Sequence, residues 1–192
     1  MLAAGRGSRL GGDAAKPLLP WRGRPLIAWA VDAARASGLR PTVVVTGYRA
    51  ADVQAALAGP ADGLSVVENP DWAEGIASSL RAALSVLEPL VEVGAVCVGL
   101  ADQPRMGADA YRRLEAAHRD GAELVVATYD GERGNPVLLS RSLWPEAHAL
   151  EGDVGARVLM RRHLVTEVPC DGTGSPADVD TLEDLERLQE ES

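Results

Sequence analysis

"TVVVTGYRAADVQAALAGPADGLSVVEN", Thr42 to Asn69, decides the fold. It opens on the β-branched run TVVVT, which Gly47 closes. Residues 50–59, AADVQAALAG, read as a helix, and LSVVEN, 64–69, as a second strand. The first strand is a continuous apolar run without polar alternation, as expected where both faces of a sheet are covered. A strand, a helix and a strand in succession give a parallel pair joined by a crossover.

The same alternation extends in both directions. PLIAWAVDAARASG, 25–38, has helical spacing, with Pro25 suited to the first turn and Gly38 as the stop. Residues 76–89, IASSLRAALSVLEP, form a helix closed by Pro89. AVCVGLADQP, 95–104, is a buried strand running into a polar turn. ADAYRRLEAAHRDG (108–121) is helical, and ELVVAT (123–128) and NPVLLS (135–140) are strands. GDVGARVLMRRH, 152–163, reads as a helix with Asp153 as its N-cap. LVTEVP, 164–169, is a strand, and TLEDLERLQEE, 181–191, is a closing helix capped by Thr181 with Asp184 in its first turn. The expected fold is α/β: a Rossmann-like three-layer domain, mostly parallel in its central sheet, with helices on both faces. The 192 residues suit one domain, 1–192. Ligands of such sheets lie at the carboxyl ends of the strands.

Composition narrows the function. The chain is 46% hydrophobic and 24% charged, as a globular chain with a core should be. It has no run of about 18 apolar residues to span a membrane and no signal-peptide layout. Its two cysteines make no disulfide framework, and Cys97, inside AVCVGL, reads as a buried thiol. These features point to a cytoplasmic enzyme with no membrane partner. The net charge of −9 argues against nucleic acid. The charge is uneven, however. Residues 1–24 carry Arg6, Arg9, Lys16, Arg22 and Arg24 against Asp13, whereas residues 171–192 carry eight acids against Arg187. The basic end suits an anionic ligand, and the acidic end reads as a solvated tail helix.

Three strand ends carry candidate chemistry. The first is the glycine-rich, basic opening loop, where bare backbone N–H groups can approach phosphate. It is neither a G-x-x-x-x-G-K-[ST] loop nor a G-x-G-x-x-G loop, and a plain glycine-rich surface loop would also account for it. Lys16 sharpens the reading. It is the sole lysine, and the other 18 basic residues are arginine. A lone lysine beside this loop supplies a compact point charge on a flexible stem, as a phosphate site needs. The second strand end is GLADQP, where Asp102 follows the most apolar strand. Mg²⁺ takes one or two carboxylates plus substrate phosphates, although a turn-initiating aspartate is the plain alternative. The third is ADVDTLEDL, where Asp178 and Asp180 precede a helix and are either ligands or caps. His118 and His163 fall in predicted helices, and with His148 they make no catalytic constellation.

These residues resemble the MobA-like nucleotidyltransferases, most nearly the branch that includes molybdenum cofactor cytidylyltransferase. The resemblance rests on five motifs in order: LAAGRGSRLGG with KPLLPWRGRPL, NPDWAEGIASSLRAAL, GLADQP, RGNPVLLSRSLWPEAHALEGDVGARVLM and DVDTLEDL. It implies transfer of a nucleotidyl group from an NTP to a phosphorylated acceptor, with Mg²⁺ as cofactor and pyrophosphate released. By resemblance, Leu2, Ala3, Ala4, Gly5, Gly7, Arg9 and Lys16 cradle the nucleotide, and Gly75 and Ser79 lie near the base. Asp102 holds Mg²⁺ with Asp180 as second ligand, so Lys16, Arg9 and Asp102 form the catalytic set. Asn135 and the Gly152–Arg157 segment, with Asp153, face the acceptor. Ala4 in LAAG favours CTP over GTP. The implied acceptor is molybdopterin, and a molybdoenzyme is the implied protein partner.

Two other readings stay open. One is a non-catalytic nucleotide-binding or chaperone-like partner of a molybdoenzyme. The other is an oxidoreductase, the label that some chains of this profile carry in connection with nicotine breakdown, although nothing in the sequence looks built for a flavin or nicotinamide. One expectation concerns the first strand. Only Met1, Leu2 and Ala3 precede the turn, against the ~5–6 residues of an ordinary strand. Several further apolar residues upstream are therefore expected in the functional protein, or another segment filling the gap.

Overall fold

A computed structural model describes residues 1–7, 15–57 and 63–190. Arg9 lies outside them. Among the described residues nine strands and six helices follow one another, with short 3₁₀ turns between. They are β1 Leu2–Ala3, β2 Pro20–Trp21, β3 Arg24–Pro25, α1 Leu26–Ala36, β4 Thr42–Thr46, α2 Ala50–Ala56, β5 Leu64–Glu68, α3 Ile76–Leu87 and β6 Ala95–Val98, then α4 Ala108–Arg119, β7 Leu124–Tyr129, β8 Glu132–Ser140, α5 Trp144–His148, β9 Thr166–Pro169 and α6 Leu182–Glu190. β2, β3 and α5 were not anticipated by the pattern, and the helix expected over 152–163 does not form.

The sheet runs β5-β4-β1-β6-β8-β7-β9. The β4–β5 pair is parallel in register from Thr42–Leu64 to Thr46–Glu68. Only β8 runs against its neighbours, opposite β6 from Ala95–Ser140 to Val98–Val137 and opposite β7. That reversal brings the start of β8, with Asn135, to the carboxyl end of β6.

Apolar residues on both sides of β4 and β7 explain why these two strands are fully buried. Val43 and Val45 pack with Leu80 and Leu84 of α3, while Val44 between them packs with Ile27 and Val31 of α1 and Val53 of α2. In β7, Leu124 and Val126 face the α3 and α5 side, and Val125 and Ala127 face Leu114 of α4. The result is three layers, with α3 and α5 on one face and α1, α2 and α4 on the other. Among the described residues, no helix is long and apolar enough to cross a membrane.

β1 has two residues. Leu2 N donates to Gly99 O (2.9 Å), Ala101 N donates to Leu2 O (3.0 Å), and on the other side Leu2 and Ala3 stand opposite Val45 and Thr46. Beside Met1 lies a cavity of about 210 Å³, with Thr42 and Val43 in one wall and Ala95, Cys97 and Tyr111 in another. Cys97 is thus half-buried rather than buried. Desolvation still pushes its thiol up to about 12.

Two local readings are corrected. Pro25 is the residue ahead of α1, in extended backbone, and not part of its first turn. Residues 152–158 are turns and irregular backbone, and only Leu159–Arg161 form a 3₁₀ turn. The apolar spacing of VLM imitates a helix, but the carboxylate of Asp153 is spent elsewhere: its Oδ1 accepts from Ile76 N (3.4 Å) at the start of α3.

Candidate active site

The carboxyl ends of β1, β4, β5 and β6 share one edge of the sheet because these strands are parallel. Lys16 reaches this edge from a 3₁₀ turn, Lys16–Leu18. The preceding Ala15 is fully buried among Ala3, Val44 and Ala101, which anchors the backbone from which the lysine projects. Its Nζ donates to Asp102 Oδ2 and to Asp180 Oδ1, each at 2.5 Å. The lysine side chain is 11% exposed, against 21% for Asp102 and 42% for Asp180. Burial alone would lower the ammonium pKa. The charge and hydrogen bonds of the two carboxylates outweigh it and hold the pKa above the ordinary value.

The neighbouring polar groups hold these carboxylates in place. Val179 N donates to Asp102 O (3.0 Å), tying the loop before α6 to the end of β6. Gln103, 3% exposed, donates from Nε2 to Pro176 O (2.8 Å) and to Asp178 Oδ1 (2.6 Å). Burial, then the adjacent Asp102 carboxylate, pushes the Asp178 carboxyl above its usual range. Asp180 is not the helix cap. That role belongs to Thr181, whose Oγ1 accepts from Asp184 N (3.1 Å), while Asp184 Oδ2 accepts from the N–H groups of Asp180 (3.1 Å) and Thr181 (2.8 Å). This reciprocal capping box leaves the Asp180 side chain to Lys16. Gln103, which sequence reasoning missed, ties the loop before α6 to the end of β6. Its signal was a polar side chain next to Asp102 at the end of an apolar strand.

The glycine loop begins at buried Ala4, whose carbonyl accepts from Tyr48 N (3.0 Å), and continues into exposed Gly5 and Arg6. Gly7 takes positive φ. Arg6 lies over the Tyr48 ring (5.2 Å), which meets Trp72 edge-on (5.4 Å). A Cβ on Gly47 would stand 2.5 Å from that of Trp72 and 2.8 Å from that of Ala4. Trp72 therefore packs beside the start of the loop. Tyr48 and Trp72 were not anticipated as neighbours of the loop.

The other expected residues fall into separate groups. Gly75 (φ +111) packs directly on the Gly152–Asp153 backbone, where a Cβ would stand 2.5 Å from Gly152 C. Gly152 O also accepts from Ala77 N (3.2 Å). The segment expected near the base and the one expected near the acceptor thus touch. Ser79 is buried and accepts from Asn69 Nδ2 (3.1 Å), which also donates to Ser78 (2.8 Å). Asn135 presents its carbonyl to Tyr129 Oη (3.0 Å). Arg157 is exposed. Leu2 and Ala3 are buried in β1, so they contribute to the sheet from which the loop departs.

The donor set fits a divalent cation of the hard-oxygen type. Two carboxylates converge on one ammonium, and Asp102 Oδ1 is buried without a hydrogen-bond partner. Among the described residues no three His, Cys, Asp or Glu side chains cluster as a ready-made metal site. Remaining ligands would come from substrate oxygens and water, as Mg²⁺ prefers.

Residues 1–168 match the family model of the MobA-like NTP transferase domain. The chain belongs to this family. The MobA-like fold is also seen in Rv0371c of Mycobacterium tuberculosis H37Rv, 36% identical with a TM-score of 0.84, covering 98% of this chain and 95% of that one. A second structure of Rv0371C is in complex with manganese: 33% identical, TM-score 0.81, covering 100% and 96%. Nicotine blue oxidoreductase of Paenarthrobacter nicotinovorans is 34% identical over 198 residues, 98% of this chain and 94% of that protein. Family membership points to nucleotidyl transfer, and the manganese complex is consistent with dependence on a divalent metal.

Proposed function

We propose that this protein transfers a nucleotidyl group, with CMP favoured, from an NTP to a phosphorylated acceptor, molybdopterin being the leading one. The observation that carries this reading is the Lys16 ammonium held between Asp102 and Asp180, on the sheet edge where the glycine loop begins. The acceptor phosphate oxygen attacks the α-phosphorus. A new O–P bond forms, the bond from the α-phosphorus to the bridging oxygen breaks, and pyrophosphate leaves with the electron pair. An acceptor phosphate is already ionised at neutral pH, so no general base is required. Catalysis consists of positioning and charge neutralisation.

The loop N–H groups from Ala4 to Gly7 and Lys16 bind the triphosphate. Asp102 and Asp180 would hold Mg²⁺, which supplies Lewis-acid neutralisation of phosphate oxygens. Arg9 adds positive charge from the same loop. Gly75 and Ser79 shape the base side, Asn135 and residues 152–157 the acceptor side. A molybdoenzyme would be the consumer of the product. The test is pyrophosphate release from each of the four NTPs with Mg²⁺ and molybdopterin. Release with CTP above the others supports the reading, and none with any NTP refutes it.

The relative named nicotine blue oxidoreductase, similar over nearly the whole chain, favours a second reading, reduction of a pigment by a nicotinamide. Pigment bleaching that depends on NAD(P)H, with no pyrophosphate release, would establish it instead.

A further inference from the structure

We propose that the ammonium of Lys16 is the resident counter-ion of the cation site, so that Lys16 and a divalent metal exclude each other at Asp102 and Asp180. The inference rests on the assignment of these two carboxylates as metal ligands. It goes beyond that assignment by naming what fills the site before the metal and what must move when the metal enters.

The argument is geometric. Nζ lies 2.5 Å from one oxygen of each carboxylate, so those two oxygens are within 5 Å of one another on either side of a single cation. An Mg²⁺-like ion binds oxygens at about 2.0–2.1 Å and would need the same two oxygens at nearly the same spot. Two cations cannot share it, because like charges at such separations repel strongly in a partly buried site. The lysine is also enclosed, at 11% exposure, and its anchor residue Ala15 is fully buried. What can move is therefore the flexible four-carbon stem, not the backbone. The buried, unpartnered Asp102 Oδ1 is a further oxygen open to a metal once the ammonium has gone. A triphosphate offers the displaced ammonium a new anionic partner. Nucleotide binding and metal loading then reinforce one another, and free metal alone binds weakly.

The site has a convenient reporter, since Lys16 is the only lysine. Mn²⁺ binding is measured by electron paramagnetic resonance without nucleotide, for the natural protein, Lys16→Met and Asp102→Asn. The expected result is at least tenfold tighter Mn²⁺ binding by Lys16→Met than by the natural protein, and loss of binding in Asp102→Asn. Equal or weaker binding by Lys16→Met, or binding by neither, overturns the proposal. In parallel, the natural protein is pulse-labelled with acetic anhydride along an Mn²⁺ titration and Lys16 acetylation is read by mass spectrometry. Labelling should rise several-fold with Mn²⁺, and labelling that stays level or falls overturns the proposal even if Lys16→Met does not fold. Neither readout uses turnover. Failure to release pyrophosphate would remove the transferase reading and leave the competition standing, and absence of competition would leave that reading intact.

Discussion

Lys16 is the residue on which nucleotide and metal requirements meet. Its removal has two opposite consequences. Lys16→Ala should weaken CTP binding by about 1.5–3 kcal/mol, the scale of a charged hydrogen bond, in a calorimetric titration with Mg²⁺ present. Lys16→Arg should not restore full affinity, because a planar fork does not replace a compact point charge on the triphosphate. Asp102→Asn should remove metal-dependent turnover while leaving the fold and a cooperative thermal transition in place, since Asp102 stands beyond the end of β6 and outside the core clusters. Unaltered metal dependence in that variant would contradict its role. Lys16, Asp102 and Asp180 were legible as candidates because each is chemically conspicuous: a sole lysine, an acid closing an apolar strand, an acid before a helix. Their mutual contact was not legible, because it joins positions separated by 86 and 164 residues.

At the scale of elements, the loop ahead of α6 is held by Gln103 on one side and by the Thr181–Asp184 capping box on the other. Gln103→Leu deletes both donated hydrogen bonds to residues 176 and 178. It should cost about 1–3 kcal/mol in chemical denaturation and lower turnover by displacing Asp180. Thr181→Ala should cost about 1 kcal/mol through the lost cap. The same box resolves the choice between ligand and cap that the residues around Asp180 left open: Thr181 caps the helix, as its position ahead of the first turn indicates, and the Asp180 carboxylate meets Lys16. Gly75 makes a comparable point. Its φ of +111 and the Gly152 backbone 2.5 Å from a built Cβ make Gly75→Ala destabilising, by about 1–3 kcal/mol. Residues 152–163 read as a helix because Asp153 is suited to be its N-cap. A tertiary contact, Asp153 with the start of α3, overrides that pattern.

For the whole molecule, continuous apolar strands announced a sheet covered on both faces, and the layers follow from them. The reversed direction of β8 was not legible, because an apolar strand buried on both sides looks the same whichever way it runs. The interior also sets an alkaline limit to stability. Burial pushes Tyr129 up to about 12 from the ordinary 10.0. The folded pKa is the higher one, so this contribution is complete below pH 10 and is lost as pH rises toward 12. Melting temperature should fall across that window, and Tyr129→Phe should flatten the fall. The central claim concerns the sheet edge where Lys16, Asp102 and Asp180 meet. Its most direct measurement is pyrophosphate release with CTP, Mg²⁺ and molybdopterin, run beside Asp102→Asn. The account predicts release by the natural protein and none by the variant; equal release by both, or none by either, would contradict it.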